Sequence, residues 1–287
     1  MNKIVLLGTK GGPRITKGAP WPTSSVLEIG GQPYLIDCGL GVTRQFAEAG
    51  YTFDQLSTIF ITHHHSDHNL EFGPLLHTCW TSARPHPIKA YGPKGMHNLL
   101  NGFFAANVFD IETRMADEKQ ADLRELISVQ EYSEGIVMED DRVKVSALKV
   151  VHPPIVECYA LKFEFDNKTV VFSGDTTWYE PFVQFCVGAD FLVHEVMLAS
   201  GVDKLCERLK DTKPNLKAHL LSSHTLAADV GRVASDANVG HLILNHFVPS
   251  DDPSITAADF EREVRTSWSG PLSSGFDLFS LDLDKTA

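Results

Sequence analysis

The chain has 287 residues, 43% of them hydrophobic and 22% charged, which is the composition of a globular protein with a sizeable core. Its 25 basic and 37 acidic residues leave a formal net charge of −12, which argues against broad non-specific attraction to nucleic acid. No apolar run approaches the roughly 20 residues that cross a membrane, and five widely spaced cysteines without a C-x-x-C motif predict reduced thiols in a cytoplasmic protein.

The segments in chain order predict one α/β domain over residues 1–287, with sheets packed together and helices outside them. Stretches rich in β-branched residues and bounded by Gly or Pro predict strands, and stretches with helical periodicity predict helices. The strands are expected at 3–8, 24–30, 32–39, 56–63, 87–93, 142–152, 189–195, 240–246 and 275–283, with two more in 160–175 around a turn at Asp166 and Asn167. The helices are expected at 42–50, 109–131, 226–237 and 256–267.

Two charged segments stand outside this pattern. Residues 109–131 lack Gly and Pro, so they predict one helix with a narrow apolar side, which could serve as a lid or as a homodimer contact. Residues 203–217 contain five basic residues against three acidic ones. We expect a solvated helix face there, with a surface for an anionic substrate as the alternative.

Four of the predicted strands end on a residue that can bind a metal, namely His63, His152, Asp175 and His246. A strand end is a rigid place from which to aim a side chain at a shared rim of the sheets. These four residues therefore indicate a metal site. A histidine-rich surface loop or a tag is the alternative, but a tag lies at a terminus and does not follow a buried strand.

The stretch IFITHHHSDHNLEF (59–72) contains four histidines and one aspartate within six positions. Side chains alternate along an extended strand, so His63 and His65 are expected to face one way and His64 the other. The chain then turns, which lets Asp67 and His68 swing toward the side of His63. Neutral imidazoles and a carboxylate oxygen are good zinc ligands, whereas His64 is expected to pack behind the site.

The H-x-H-x-D-H motif at a strand end resembles the signature of the metallo-β-lactamase superfamily. The segments HPPIVECYALKFEF, FSGDT and LILNHF are similar to the later motifs of that superfamily, so the resemblance covers nearly the whole chain. It implies an αββα sandwich that holds two zinc ions (Zn2+) per chain. It implies that His63, His65 and His152 hold one ion, that Asp67, His68 and His246 hold the other, and that Asp175 bridges the two.

Four further segments resemble the ribonuclease Z branch: DCGLGVTRQF (37–46), YGPKG (91–95), HEVM (194–197) and SHTLAADVGRVA (223–234). This resemblance makes His224 a catalytic candidate that binds no metal, and Glu195 a residue that orients His224. The alternatives are a helix-start histidine followed by a capping Thr225, and a glutamate in a polar loop. Asp67 is the third catalytic candidate, because it would orient a zinc-bound hydroxide and accept its proton.

The chain departs from ribonuclease Z in lacking a recognisable P-x-K-x-R-N loop and a Gly/Pro-rich arm. With the negative charge, this favours a di-zinc hydrolase whose metal-bound hydroxide cleaves a small anionic or ester substrate, such as a phosphodiester, aryl ester or sulfate. The alternatives are a ribonuclease Z-type endonuclease at tRNA 3′ ends, with tRNA disfavoured as a partner, and a non-hydrolytic metal or redox protein. No membrane partner is expected, and structural roles are expected for His77, His86, His97, His194, His219 and His241.

Overall fold

Two β-sheets of seven strands each lie face to face in the computed structural model, which describes residues 1–82 and 86–285. The first sheet contains, in spatial order, β14 (Phe279–Asp282), β1 (Lys3–Gly8), β2 (Ser24–Ile29), β3 (Gln32–Ile36), β4 (Thr58–Phe60), β5 (Ile88–Gly92) and β6 (Ile127–Glu131). The second contains β13 (Leu272–Ser274), β12 (His241–Val248), β11 (Phe191–Met197), β10 (Lys168–Phe172), β9 (Tyr159–Phe165), β8 (Lys144–Lys149) and β7 (Gly135–Glu139).

Helices cover the outer face of each sheet. The first sheet packs against α1 (Val42–Glu48), α3 (Phe72–Ser82) and α4 (Met96–Ala106), and the second against α7 (Glu180–Cys186), α10 (Ala227–Asp236) and α11 (Ala257–Val264). The other helices are α2 (Ser66–Asn69), α5 (Val108–Glu118), α6 (Leu123–Leu126), α8 (Ala199–Leu209) and α9 (Leu216–Ser223). The predicted αββα sandwich is confirmed. Within the described residues, no helix is long and apolar enough to cross a membrane.

Aromatic side chains fill the space between the two sheets. Phe163 of β9 is fully buried, with its ring edge-on to Phe60 of β4 at 5.4 Å and to Phe172 of β10 at 5.7 Å between centroids. Because this middle layer draws side chains from both sheets, neither sheet can bury its inner face alone. We therefore propose that the described residues form one domain.

The strand predictions hold where apolar runs are bounded by turn residues. Strands β9 and β10 form the predicted hairpin, with Asp166 at φ 46° and Asn167 at φ 59°. These left-handed values suit the twist of a two-residue hairpin turn, and Asp and Asn tolerate them better than most residues. Strand β4 ends at Phe60, so the predicted strand 56–63 is shorter than expected and His63 lies in the segment that follows it.

The prediction of one helix over 109–131 is wrong. Helix α5 ends at Glu118, where Lys119 adopts a left-handed conformation with φ 57°. The short α6 follows, and residues 127–131 form β6, which pairs in parallel with β5. The sequence ISVQE has the alternation of an edge strand, and the charges on either side of it concealed that alternation.

The arrangement of parallel strands places the ends of several strands together. Strands β3 to β6 run parallel in the first sheet, and β10 to β13 run parallel in the second. Residues that follow parallel strands meet at one edge of a sheet. The segments after β4, β8 and β10 and the end of β12 carry the histidines and aspartates of interest, and they converge at one rim of the sandwich.

We expect Phe163→Ala to lower the free energy of unfolding by about 3–5 kcal/mol, because it removes a buried ring and leaves a cavity between the sheets. Phe109→Ala is the matched control: its ring is 83% exposed, so the change should stay within about 0.5 kcal/mol. Urea unfolding followed by circular dichroism measures both. Equal losses in the two variants would contradict the assignment of Phe163 to the shared core.

Candidate metal centre and active site

Seven ligand-type side chains gather into two groups at the rim. Within each group, one ligand atom per residue lies within 4.8 Å of the others. The first group consists of His63, His65, His152 and Asp175, and the second of Asp67, His68 and His246. The structure therefore brings together all seven residues that the resemblance implies as metal ligands.

In the first group, three ring nitrogens face one another. His65 Nδ1 lies 3.1 Å from His63 Nε2 and 3.0 Å from His152 Nε2. Asp175 Oδ2 lies 3.7 Å from His63 Nε2 and 3.8 Å from His152 Nε2. A single proton cannot satisfy three converging nitrogens, whereas a cation can accept all three lone pairs.

Asp175 of the first group also lies next to two histidines of the second group. Asp175 Oδ2 lies 3.3 Å from His246 Nε2, and Oδ1 lies 3.2 Å from His68 Nε2. Asp67 Oδ2 lies 3.4 Å from His246 Nε2. His68 Nε2 and Asp175 Oδ1 are buried and have no hydrogen-bond partner in the described structure, despite their closeness. Both atoms are thus oriented toward a common centre, as ligands of a cation would be.

Outer partners fix the orientation of the rings. His68 Nδ1 donates to the Asp37 carboxylate at 2.7 Å, and His152 Nδ1 donates to the Ser223 carbonyl at 2.7 Å. Each bond holds one ring nitrogen and leaves the other free to face the centre. The Gly12 N–H donates to Asp67 Oδ2 at 2.7 Å, and this hydrogen bond fixes the orientation of the Asp67 carboxylate. Sequence reasoning missed Asp37 because the predicted strand 32–39 placed it inside a strand, whereas β3 ends at Ile36 and Asp37 directly follows it.

The electrostatics of the rim favour a cation. Burial lowers the pKa of His63 well below its usual range and that of His152 to about 4, so both rings are neutral at pH 7 and offer lone pairs. Burial would also lower the pKa of His68, but the carboxylates of Asp175 and Asp37 raise it well above its usual range. Buried carboxylates therefore demand positive charge here, which a divalent cation supplies.

His64 lies behind the site, on the opposite side of the chain from His63 and His65. Its Nδ1 is 3.0 Å from the Asn69 side-chain amide, and its ring lies against Gly95, where an added Cβ would be 3.0 Å from Nε2. The placement agrees with the alternation of an extended segment.

His224 and Glu195 form a buried pair beside the metal ligands. His224 Nδ1 lies 2.7 Å from Glu195 Oε2. Burial alone would lower the pKa of His224, but the adjacent Glu195 carboxylate raises it to about 9. The ring therefore carries its proton at neutral pH, and its centroid lies 5.0 Å from that of the His152 ring. His224 directly follows α9 and begins the short link to α10, which starts at Ala227 with Leu226 as its N-cap.

A cleft with a volume of about 270 Å³ opens over Asp67, Asp175 and His65. Its far wall is apolar and consists of Leu205 and Leu209 from α8 and Leu216 and Leu220 from α9.

His219 also lines the cleft, with its ring centroid 6.5 Å from that of His65. A purely structural role was expected for His219, but its position makes it a neighbour of the site. In the segment 203–217, Lys210 and Lys217 pair with Glu207 and Asp203 as a solvated face would, whereas Lys213 faces the cleft.

Comparisons with known proteins cover most of the chain. The family model described as anti-Pycsar protein Apyc1 matches residues 2–234. Ribonuclease Z of Mycobacterium bovis (strain BCG / Pasteur 1173P2) is 31% identical over 293 residues, covering 99% of this chain and 99% of that protein.

Two solved structures are similar in fold. The metallo-β-lactamase fold protein YhfI from Bacillus subtilis superposes with a TM-score of 0.72 at 21% identity, covering 98% of this chain and 100% of that one. The short form of human tRNase Z superposes with a TM-score of 0.66 at 20% identity, covering 98% and 99%. At these identities the likeness concerns the arrangement of the chain.

We expect His63→Ala to lose bound metal and His64→Ala to retain it, because only the former ring faces the converging nitrogens. Metal content after dialysis, measured by inductively coupled plasma mass spectrometry, gives the result directly. Circular dichroism and thermal denaturation show whether each variant is folded. Loss of metal from a folded His64→Ala protein would contradict the assignment.

We expect Asp37→Asn to weaken metal affinity by about 10- to 100-fold, because His68 then loses the carboxylate that orients it. Competition with a chromogenic chelator measures that affinity. Asp140→Asn is the matched control, since the Asp140 carboxylate accepts from the Tyr34 hydroxyl, away from the metal ligands. An unchanged affinity in Asp37→Asn would remove Asp37 from the site.

Proposed function

The chain belongs to the ribonuclease Z family and to the family of the anti-Pycsar protein Apyc1, within the metallo-β-lactamase superfamily, and on that premise we propose that it is a two-zinc phosphodiesterase. Membership confirms the predicted superfamily, its fold and the assignment as a metal-dependent hydrolase. It also sets aside the alternative of a non-hydrolytic metal or redox protein. The identity and number of the metal ions and the substrate are parts of the proposal.

Cleavage of RNA at tRNA 3′ ends is the first candidate reaction. The relatives that match over the full length are named ribonuclease Z, and a human tRNase Z has the same fold. These relatives support the RNA alternative better than the small ester or sulfate that composition favoured. The net charge of −12 was a weak guide, because it describes the field of the whole molecule and not the charge inside one cleft.

The convergence of three ring nitrogens at His65 carries the proposal of metal catalysis. His65 Nδ1 is within 3.1 Å of His63 Nε2 and within 3.0 Å of His152 Nε2, and neutral rings so placed repel one another unless a cation lies between them. We propose that these three hold one zinc ion, that Asp67, His68 and His246 hold a second, and that Asp175 bridges them. Nitrogen and carboxylate ligands of this kind suit zinc.

Bound divalent ions would supply Lewis-acid activation of water and of a phosphoryl oxygen. The chain's own residues would do the rest. Asp67, held by the Gly12 N–H, is placed to orient the attacking water and accept its proton. His224, kept protonated by Glu195, is placed to stabilise the anionic transition state or to give a proton to the leaving oxygen.

Hydrolysis of a small phosphodiester is the second candidate, and the cleft is the observation that favours it. A cleft with an apolar wall beside a polar centre has the character of a small-molecule site. The leucines of α8 and α9 could pack against a nucleobase or an aryl group. Of the small substrates expected from the sequence, this candidate retains the phosphodiester and omits the aryl ester and the sulfate.

A direct comparison of substrates tests the order of the two candidates. The zinc-loaded protein is given a precursor tRNA with a 3′ trailer, bis(p-nitrophenyl) phosphate and an aryl sulfate at physiological salt. We expect cleavage of the precursor at the 3′ end of the tRNA body, slower turnover of the activated diester and none of the sulfate. Turnover of the small diester without cleavage of the precursor would reverse the order of the candidates.

Two variants separate the roles of the residues in that assay. Asp175→Ala should lose both metal and activity, whereas His224→Ala should keep its metal and lose about 100-fold or more in kcat, the usual contribution of an acid–base residue. Metal content is measured on the same samples. If the metal-loaded wild-type protein hydrolyses none of the phosphodiesters, the proposed function is contradicted.

A further inference from the structure

A buried lysine lies on the wall of the cleft. Lys10 is 3% exposed and lines the same cleft as Asp67 and His65. Its Nζ lies 3.4 Å from Ser250 Oγ, a long hydrogen bond to a neutral hydroxyl. Within the described residues, no carboxylate oxygen lies within ion-pair distance of this ammonium group. A buried ammonium without a paired carboxylate costs free energy, so a role in packing alone explains it poorly.

The backbone holds Lys10 rigidly beside the metal ligands. Lys10 forms a bridge with Phe247 of β12, next to His246, and the Gly11 N–H donates to the Phe247 carbonyl at 3.1 Å. The following Gly12 donates to Asp67. Lys10 therefore lines the cleft from a backbone that is in register with the metal ligands.

Further cations surround Lys10 on the same side of the cleft. Arg14 lies 3.5 Å and Arg208 lies 3.1 Å from the carboxylate of Asp251, whose side chain is only 6% exposed. Lys213 lines the cleft as well. Asp252 lies 3.8 Å from Arg208 and partly offsets this charge. Asp67 and Asp175 line the cleft too, so four basic residues near it stand beside four acidic ones, in a chain whose overall charge is −12.

The environment of Lys10 is desolvated. Burial lowers the pKa of Lys10, whereas the carboxylates of Asp251 and Asp67 raise it, and the net shift is downward. A phosphate group entering the cleft would offset the cost of burying the ammonium and would interact with it in a medium of low dielectric constant, where such a contact is stronger than in water.

We propose that Lys10, with Arg14 and Arg208, forms an anion subsite that binds a second phosphate of the substrate, apart from the phosphodiester that is cleaved at the metal centre. The proposal rests on the proposed function and deepens it. The preferred substrate then carries at least two phosphates, either successive phosphates of an RNA chain or the terminal phosphate of a small nucleotide. On binding, the second phosphate would draw Arg14 and Arg208 from Asp251.

Binding to the metal-loaded protein tests the subsite without requiring turnover. The probes are phosphorothioate-linked diuridine, the same compound with a 5′- or a 3′-phosphate, and a phosphorothioate octauridylate. Isothermal titration calorimetry measures each Kd. We expect a terminal phosphate or a longer chain to improve the affinity of the wild-type protein, and Lys10→Met to reduce that improvement by about 10- to 100-fold, the range for a lost charged hydrogen bond.

Lys17→Met is the matched control, because Lys17 is an exposed lysine of the same loop that does not line the cleft. It changes the net charge equally and should preserve the full improvement. If Lys10→Met proves unfolded in thermal denaturation, the exposed Arg14→Gln gives the same test. Lys10-dependence with the phosphorylated dinucleotides assigns the second anion to a small nucleotide. Lys10-dependence with octauridylate alone assigns it to RNA.

An equal improvement in the wild-type, Lys10→Met and Arg14→Gln proteins would overturn the subsite. The hydrolysis assay with unmodified diuridine and its phosphorylated forms separates this result from failure of the proposed function. Hydrolysis with no dependence on Lys10 would refute the subsite and leave the phosphodiesterase standing. Lys10-dependent binding without hydrolysis of any diester would refute the phosphodiesterase and leave the anion subsite standing.

Discussion

The buried carboxylate of Asp175 is the constraint on which the rest of the site depends. It is 2% exposed, and burying an ion of this size costs several kcal/mol unless charge or hydrogen bonds compensate. Four imidazoles surround it, from His63, His68, His152 and His246, and they come from three separate segments of the chain. Since a neutral imidazole compensates only in part, the cluster needs a cation at its centre. The two sheets must therefore be held in a fixed relation for the cluster to exist.

The backbone at two positions near Asp175, Gly174 and His246, adopts left-handed conformations. Gly174 has φ 58°, and an added Cβ would lie 2.6 Å from the Tyr159 carbonyl oxygen, so only glycine allows the turn that follows β10. His246 adopts φ 45° within β12, a left-handed conformation that costs about 1–3 kcal/mol in a residue with a side chain. That conformation accompanies the placement of the His246 ring within 3.3 Å of Asp175. The free-energy cost of the left-handed backbone at His246 is thus offset by the interaction of its ring with the Asp175 carboxylate.

The metal centre could be predicted from the sequence because its residues have distinctive chemistry at strand ends. Alternation along an extended segment was enough to separate His64 from His63 and His65, and the position of His64 against Gly95 agrees with it. Asp37 was missed because the predicted strand 32–39 ran past the end of β3 at Ile36, so Asp37 was not recognised as a residue that follows a strand. The segment 109–131 failed for another reason: its charge density concealed the alternation of β6. Periodicity identifies an element only where the two faces of that element differ in polarity.

The cleft could not be predicted, and the reason lies in how specificity is built. Metal ligands must be particular residue types, whereas a wall that selects substrates uses leucines, lysines and arginines that occur throughout any sequence. Leu209 and Lys213 are near in sequence, but Lys10 is about 200 residues away and reaches the same cleft only because Lys10 pairs with β12.

A centre of two metals activates water against many esters, so it does not choose among them. The choice must come from the groups that bind the remainder of the substrate. We propose that in this chain those groups are the apolar wall on one side of the cleft and the buried ammonium of Lys10 on the other. Such a pair suits a ligand that has a flat apolar ring and more than one negative charge, and nucleotides combine these two properties.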